Sequence, residues 1–189
     1  MKKIIFYWFV ILLFILPASK LSGQTPKLTD AFYYSSGIVM DSKGNAFVVG
    51  KNYQIIKIIQ AGKAELFAGS YSRQKDGKGK DAAFSSTGGI AIDAADNLYV
   101  TDGSQIRKIT PDGEVTTIAG FLREGVRDGD QATASFLHLE NITIDNKGNM
   151  YVTDYASAGR DKGRGNGGNS GEYFIRRISA QGEVTTLKN

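Results

Sequence analysis

Short apolar runs separated by polar turns recur along the chain, and their alternation predicts β-strands rather than helices. Ile90-Ala91-Ile92 is brief and apolar, the pattern of an inner strand buried on both faces. Asp93-Ala94-Ala95-Asp96-Asn97 follows as a turn, because Asp and Asn bond their own backbone and tolerate left-handed geometry. Leu98-Tyr99-Val100-Thr101 is β-branched and aromatic, which predicts a second strand. Ile106-Arg107-Lys108-Ile109 gives a third, with a basic pair between apolar ends. Thr110-Pro111-Asp112-Gly113 is a turn, and Glu114 to Ile118 alternates as an outer, half-solvated strand does. Beyond the N-terminal apolar run no stretch holds helical periodicity over about ten residues, which excludes a βαβ organisation.

The whole unit recurs. Its first aspartate falls at 41, 93 and 145, a step of 52 residues each time. The first copy adds strands at Ile55 to Ile58 and Ala64 to Phe67, and the third at Phe174 to Ile178 and Val184 to Leu187. The linkers match as well: Asp76-Gly77 through Ala83-Phe84 corresponds to Asp128-Gly129 through Ser135-Phe136. Phe32, Phe84 and Phe136 keep the same pitch, so each is expected to fill an equivalent pocket between neighbouring units. A fixed period of this size marks a repeat architecture. The fold class is therefore all-β, with three four-stranded antiparallel blades of a β-propeller. A lead-in at 24–36 precedes units at 37–87, 88–139 and 140–189, and the last carries an insertion at 156–172.

The blocks Gly-Ile-Ala-Ile-Asp, Asn-Leu-Tyr-Val-Thr-Asp, Ile-Arg-Lys-Ile and Gly-Glu-Val-Thr-Thr-Ile-Ala-Gly resemble NHL repeats over residues 30–189. That resemblance implies a propeller related in plan to six-bladed lactonase and YWTD-type propellers. It implies a binding or protein-interaction module more than a reaction, since the family holds scaffolds, sensors, binding proteins and a few enzymes. The alternatives are a lactonase- or lyase-like metal-dependent enzyme and a remnant of a longer propeller.

The N-terminus changes the picture of location and charge. Lys2 and Lys3, an apolar run to Pro17 and a small polar stretch to Gln24 form the pattern of a secretory signal peptide over residues 1–23. The run is shorter than the roughly 20 residues a membrane span needs. A secreted or periplasmic protein is expected, and with no cysteine it has neither disulfides nor a lipoprotein anchor. The chain has 23 basic and 19 acidic residues; removing Lys2, Lys3 and Lys20 leaves 20 against 19. Near-neutral, interspersed charge does not suit nucleic acid, so the expected partner is a protein or a glycan.

Candidate chemistry is sparse. The loop between second and third strands and the linker to the next unit leave a propeller on one face. There the insertion brings Arg160, Lys162 and Arg164, a cationic Gly-rich loop suited to an anionic group. It does not run from a strand into a helix, so it is not a phosphate-cradling loop. Asp102 and Asp154 end second strands on the same face and are candidate ligand-binding residues, with turn capping as the competing role. Asp41, Asp93 and Asp145 lack EF-hand spacing and are expected to close turns. His138 is the sole histidine and cannot build a multi-histidine metal site, so no metal, cofactor or catalytic residue is assigned. Glu140 and Asn141 are the one pair that suggests an axial metal, and Asn141-Ile142-Thr143 matches a glycosylation triplet in an inner strand that is hard to reach. Three units, where closed propellers have about 4–8 blades, predict a homodimer that completes a six-bladed ring around a two-fold axis.

Overall fold

A computed structural model describes residues 37–120, 125–157 and 171–187. The signal segment, Phe32, and Arg160, Lys162 and Arg164 lie outside the described residues. Within them the chain is a run of antiparallel β-meanders. β1 (Ile38–Met40), β2 (Ala46–Val49), β3 (Ile55–Ile58) and β4 (Ala64–Ala68) pair in chain order. β5 (Gly77–Lys78), β6 (Thr87–Ile92), β7 (Leu98–Asp102), β8 (Gln105–Ile109) and β9 (Glu114–Ala119) form the second sheet, ordered β5-β9-β8-β7-β6. β10 (Leu139–Ile144), β11 (Met150–Ala156), β12 (Glu172–Ile178) and β13 (Val184–Leu187) form the third. These are three blades of a β-propeller.

The second blade holds one strand more than the repeat predicts. The linker entering it runs first along its outer edge, pairing Gly77 with Val115 and Lys78 with Glu114. The third linker makes the same approach as a single bridge, Gly129 to Val184. An outermost strand otherwise presents a row of unpaired N–H and C=O groups, and the linker covers part of that edge.

Side chains alternate between the two faces of each sheet, and register shows which residues share one. In the first blade Ile38 stands opposite Val48 and Met40 opposite Ala46, whereas Val39 stands opposite Phe47. The face with Val39, Phe47, Val49 and Ile55 turns downstream, towards the second blade. It packs on Ile90, Leu98, Val100, Ile109 and Val115 of that blade's upstream face. The next join repeats the arrangement: Ala91, Ile106 and Ala119 meet Ile142, Met150, Val152, Ile178 and Val184. Every join thus seats a downstream face on an upstream one.

Phe84 plugs the first join and Phe136 the second, both fully buried, as their spacing predicts. Gly69, at φ 96°, passes so close to the Phe84 ring that a β-carbon there would collide with it. Near the axis the inner strands β6 and β10 come into backbone contact. A β-carbon on Gly89 would lie 2.7 Å from the Ile142 nitrogen and 2.8 Å from the Asn141 Cα.

Candidate functional site

Asp102 and Asp154, the candidate ligand-binding residues, are fully buried, and each is paired with an arginine of the following strand. They belong to a polar buckle built twice. Arg107 stands opposite Val100 in register, so alternation turns its side chain into the join. Its Nη1 donates to Asp102 Oδ2 at 2.9 Å and to the Ala83 carbonyl at 3.3 Å, and its Nη2 to Asp76 Oδ1 at 2.7 Å. The guanidinium carbon lies 5.3 Å from the centre of the Phe84 ring. Asp102 Oδ1 accepts the backbone N–H groups of Ser85 and Ser86, the turn-capping role. Asp76 also accepts the N–H and hydroxyl of Thr117, so one carboxylate reaches from the linker to the outer strand.

The third blade copies each part. Arg176 donates to Asp154 at 3.0 Å, to Asp128 at 3.1 Å, and to the carbonyls of Ser135 and Arg127. Asp154 accepts the N–H groups of Leu137 and His138, so the sole histidine contributes its backbone. Burial pushes the Asp154 carboxyl up, against those N–H groups and Arg176. Asp128 is held below the ordinary carboxylate value: partial burial acts upward, but Thr186 and Arg176 outweigh it. The first blade has Gly50 and Ile56 at the aspartate and arginine positions and builds no such buckle there.

Asp41, Asp93 and Asp145 close the first-to-second-strand turns as their spacing predicts. Asp93 Oδ1 accepts the N–H of Ala95 and of Asn97, while Oδ2 accepts the Asn97 amide and the Tyr99 hydroxyl. The other two repeat this with Lys43 and Asn45, and with Lys147 and Asn149. Carboxylates filled by N–H donors are turn locks. Among the described residues no three His, Cys, Asp or Glu side chains lie close enough to share a metal ion.

A cleft of about 400 Å³ opens between two of these turns, lined by Ile92, Asp93, Ala95, Ile144, Asp145 and Gly148 among others. It lies on the face opposite the linkers, and its origin is legible in the repeat. At the preceding join the Ser42 N–H and hydroxyl donate to Asp96 at 2.8 and 2.6 Å, which ties the two turns together. One period later those positions are Ala94 and Gly148, so the tie is missing.

The linker face presents two tyrosine pairs that composition and spacing alone do not single out. Tyr53 and Tyr71 lie with ring centres 5.7 Å apart, and Tyr71 is 70% exposed. Asn52 and Tyr53 hold left-handed backbone at φ 59° and 61°, a strained conformation for a residue as bulky as Tyr. Tyr71 is mounted firmly: it bridges Phe84, Ser70 accepts the Phe84 N–H at 3.1 Å, and the Ser70 hydroxyl donates to Ala82. Tyr155 and Tyr173 pair at 4.7 Å where β11 and β12 enter the insertion. Asn141 lies in β10 as the sequence predicts, yet it is exposed, because no described residue covers that side of the third blade.

No protein-family model matches the chain, and no curated protein does. Solved structures do. A Bacteroides thetaiotaomicron protein of unknown function is 27% identical with a TM-score of 0.56, over 61% of this chain and 31% of its own. An auxiliary nutrient binding protein of the same species is 26% identical with a TM-score of 0.54, over 62% of this chain and 34% of its own. Virginiamycin B lyase from Staphylococcus aureus, at 18% identity and a TM-score of 0.51, covers 87% of this chain and 43% of its own, a likeness of fold alone. The chain thus spans between 31% and 43% of the lengths of these propeller-like structures, and the β-propeller is what it shares with them.

Proposed function

We propose that the protein is an exported NHL-type propeller module that binds an acidic saccharide on its linker face, without covalent chemistry. The observation that carries this reading is the Tyr53–Tyr71 platform, with one ring largely in solvent on a rigid mount. An exposed phenol ring offers an apolar face to the C–H side of a sugar and a hydroxyl at its edge. Strained backbone at Tyr53 fits a residue placed for contact rather than for folding. Tyr155 and Tyr173 offer a second platform at the base of the insertion, whose Arg160, Lys162 and Arg164 would meet carboxylates. Asp102 and Asp154 serve the site indirectly, by fixing the linkers. Likeness to a nutrient binding protein over part of the chain supports a binding role.

Affinity electrophoresis in gels containing polygalacturonate or soluble starch tests it. The expected result is retardation by polygalacturonate, reduced tenfold or more by Tyr71→Ala and by joint Arg160, Lys162 and Arg164→Ala. Unretarded protein, or retardation untouched by both variants, would overturn the reading.

A further inference from the structure

We infer that the cleft between the second and third blades is a separate binding site, and that it takes a small organic acid, a carboxylate on a short aliphatic body. It lies on the face opposite the linkers, stands apart from the saccharide reading and would survive its failure.

The molecule carries its own template for such a complex. At the first join the Asp96 carboxylate lies against the neighbouring turn, where Oδ1 accepts the Ser42 N–H at 2.8 Å and Oδ2 the Ser42 hydroxyl at 2.6 Å. The turn that supplies those donors recurs at the second join. Asp93 Oδ1 accepts the N–H groups of Ala95 and Asn97, as Asp41 Oδ1 accepts those of Lys43 and Asn45. Equal turns aim equal N–H groups, so the Ala94 N–H points across the second join as the Ser42 N–H points across the first. Its acceptor is missing from the sequence, because Gly148 stands where the preceding turn has Asp96. Among the described residues the Ala94 N–H and the Asn146 side-chain amide have no hydrogen-bond partner, and both residues line the cleft. A carboxylate supplied from solution would complete the pattern that Asp96 completes one join earlier.

The rest of the lining decides what the carboxylate is attached to. Half-buried Ile92 and Ile144, with the methyls of Ala94 and Ala95, offer apolar surface to a short hydrocarbon. A volume of about 400 Å³ suits a small molecule, since ligand clefts run from about 300 to 1,000 Å³. Asp93 and Asp145 also line the cleft, and bare carboxylates there would repel an anion. They are not bare. Asp93 accepts two N–H groups, the Asn97 amide and the Tyr99 hydroxyl, and Asp145 accepts the N–H groups of Lys147 and Asn149 with the Asn149 amide. The Lys147 ammonium adds a favourable charge beside Asp145. The first join shows that this balance admits a third carboxylate, because Asp41 and Asp93 stand in the same relation to Asp96. An ammonium ligand, by contrast, would meet carboxylate oxygens whose lone pairs are already engaged.

The full chain, isotope-labelled, is titrated with sodium butanoate and separately with butylammonium chloride while backbone amide resonances are followed. Butanoate should move the Ala94 amide saturably and leave the Ser42 amide in place, and butylammonium should move neither. Ala94→Ser with Gly148→Asp, which supplies the tie from within, should weaken butanoate binding tenfold or more. Ser42→Ala with Asp96→Gly removes the tie at the first join and should add a second saturable shift, at position 42. Tyr71→Ala should leave the Ala94 response unchanged, so this site and the saccharide site succeed or fail separately. An Ala94 amide that does not saturate, or that answers butylammonium equally, would overturn the inference. So would butanoate binding that persists when the tie is installed, or no second shift when the first tie is removed.

Discussion

Arg107 donates to Asp102 across the β7–β8 hairpin at 2.9 Å with neither side chain reaching solvent, and Arg176 repeats the bond to Asp154 at 3.0 Å. Removing one partner leaves the other as an uncompensated buried charge, which costs about 3–5 kcal/mol. Arg107→Ile should therefore lower the free energy of unfolding by roughly that amount. Adding Asp102→Gly copies the Ile56 and Gly50 of the first blade and should restore part of the loss. A double-mutant cycle by urea unfolding measures the coupling, expected at about 0.5–3 kcal/mol.

The turn aspartates give stability a pH dependence of known sign. Asp93 sits below its ordinary 3.8: burial acts upward, and the Asn97 amide and N–H with the Tyr99 hydroxyl outweigh it. For Asp145 the Asn149 amide is the chief cause, and Asp41 is lowered as well. A depressed folded-state value stabilises fully above the unfolded value and is lost as pH falls through the folded one. Melting temperature should thus fall as pH drops from about 5 towards 2. Asp93→Asn should melt lower at neutral pH and show a shallower acid slope.

Backbone contact between β6 and β10 makes Gly89 intolerant of a side chain. Gly89→Ala forces the inner strands apart and should cost about 1–3 kcal/mol. Gly37→Ala meets only a side-chain methyl at 3.2 Å and should cost less. Denaturant midpoints of the two variants give the comparison directly.

Ala94→Ser with Gly148→Asp should install the Ser42–Asp96 tie at the join that lacks it. Asp96 already holds φ 62° at the matching turn position, and Gly148 at 82° has only ordinary contacts around an added β-carbon. The pair should raise stability by about 0.5–1.5 kcal/mol, read as a higher melting temperature. A small probe that lodges in the cleft should lose its place in this variant.

The period, the strands and the turn aspartates were legible because each repeats a local rule: alternation, β-branching, and Asp bonding to its own backbone. Phe84 and Phe136 were legible because equal spacing puts equal residues in equal pockets. Arg107 was harder. Read along the chain it is half of a basic pair, and only the register that sets it opposite Val100 turns it inward. Asp102 then changes meaning, since an aspartate at a strand end looks like a ligand until its charge is matched from the next strand. Tyr71 lies in a linker without periodicity, so nothing local announces its contact with Tyr53.

The buckle also fixes where this repeat can be cut. Asp76 and Asp128 precede the blades they serve, yet they hold those blades' arginines and outer strands through Thr117 and Thr186. Cooperative units therefore begin in the linker, near Gly69 and Gly120, and not at the inner strand where the sequence period appears to restart. Excised, permuted or shuffled modules that start at Gly88 would discard half of their own lock, whereas modules that start a linker earlier would carry it with them.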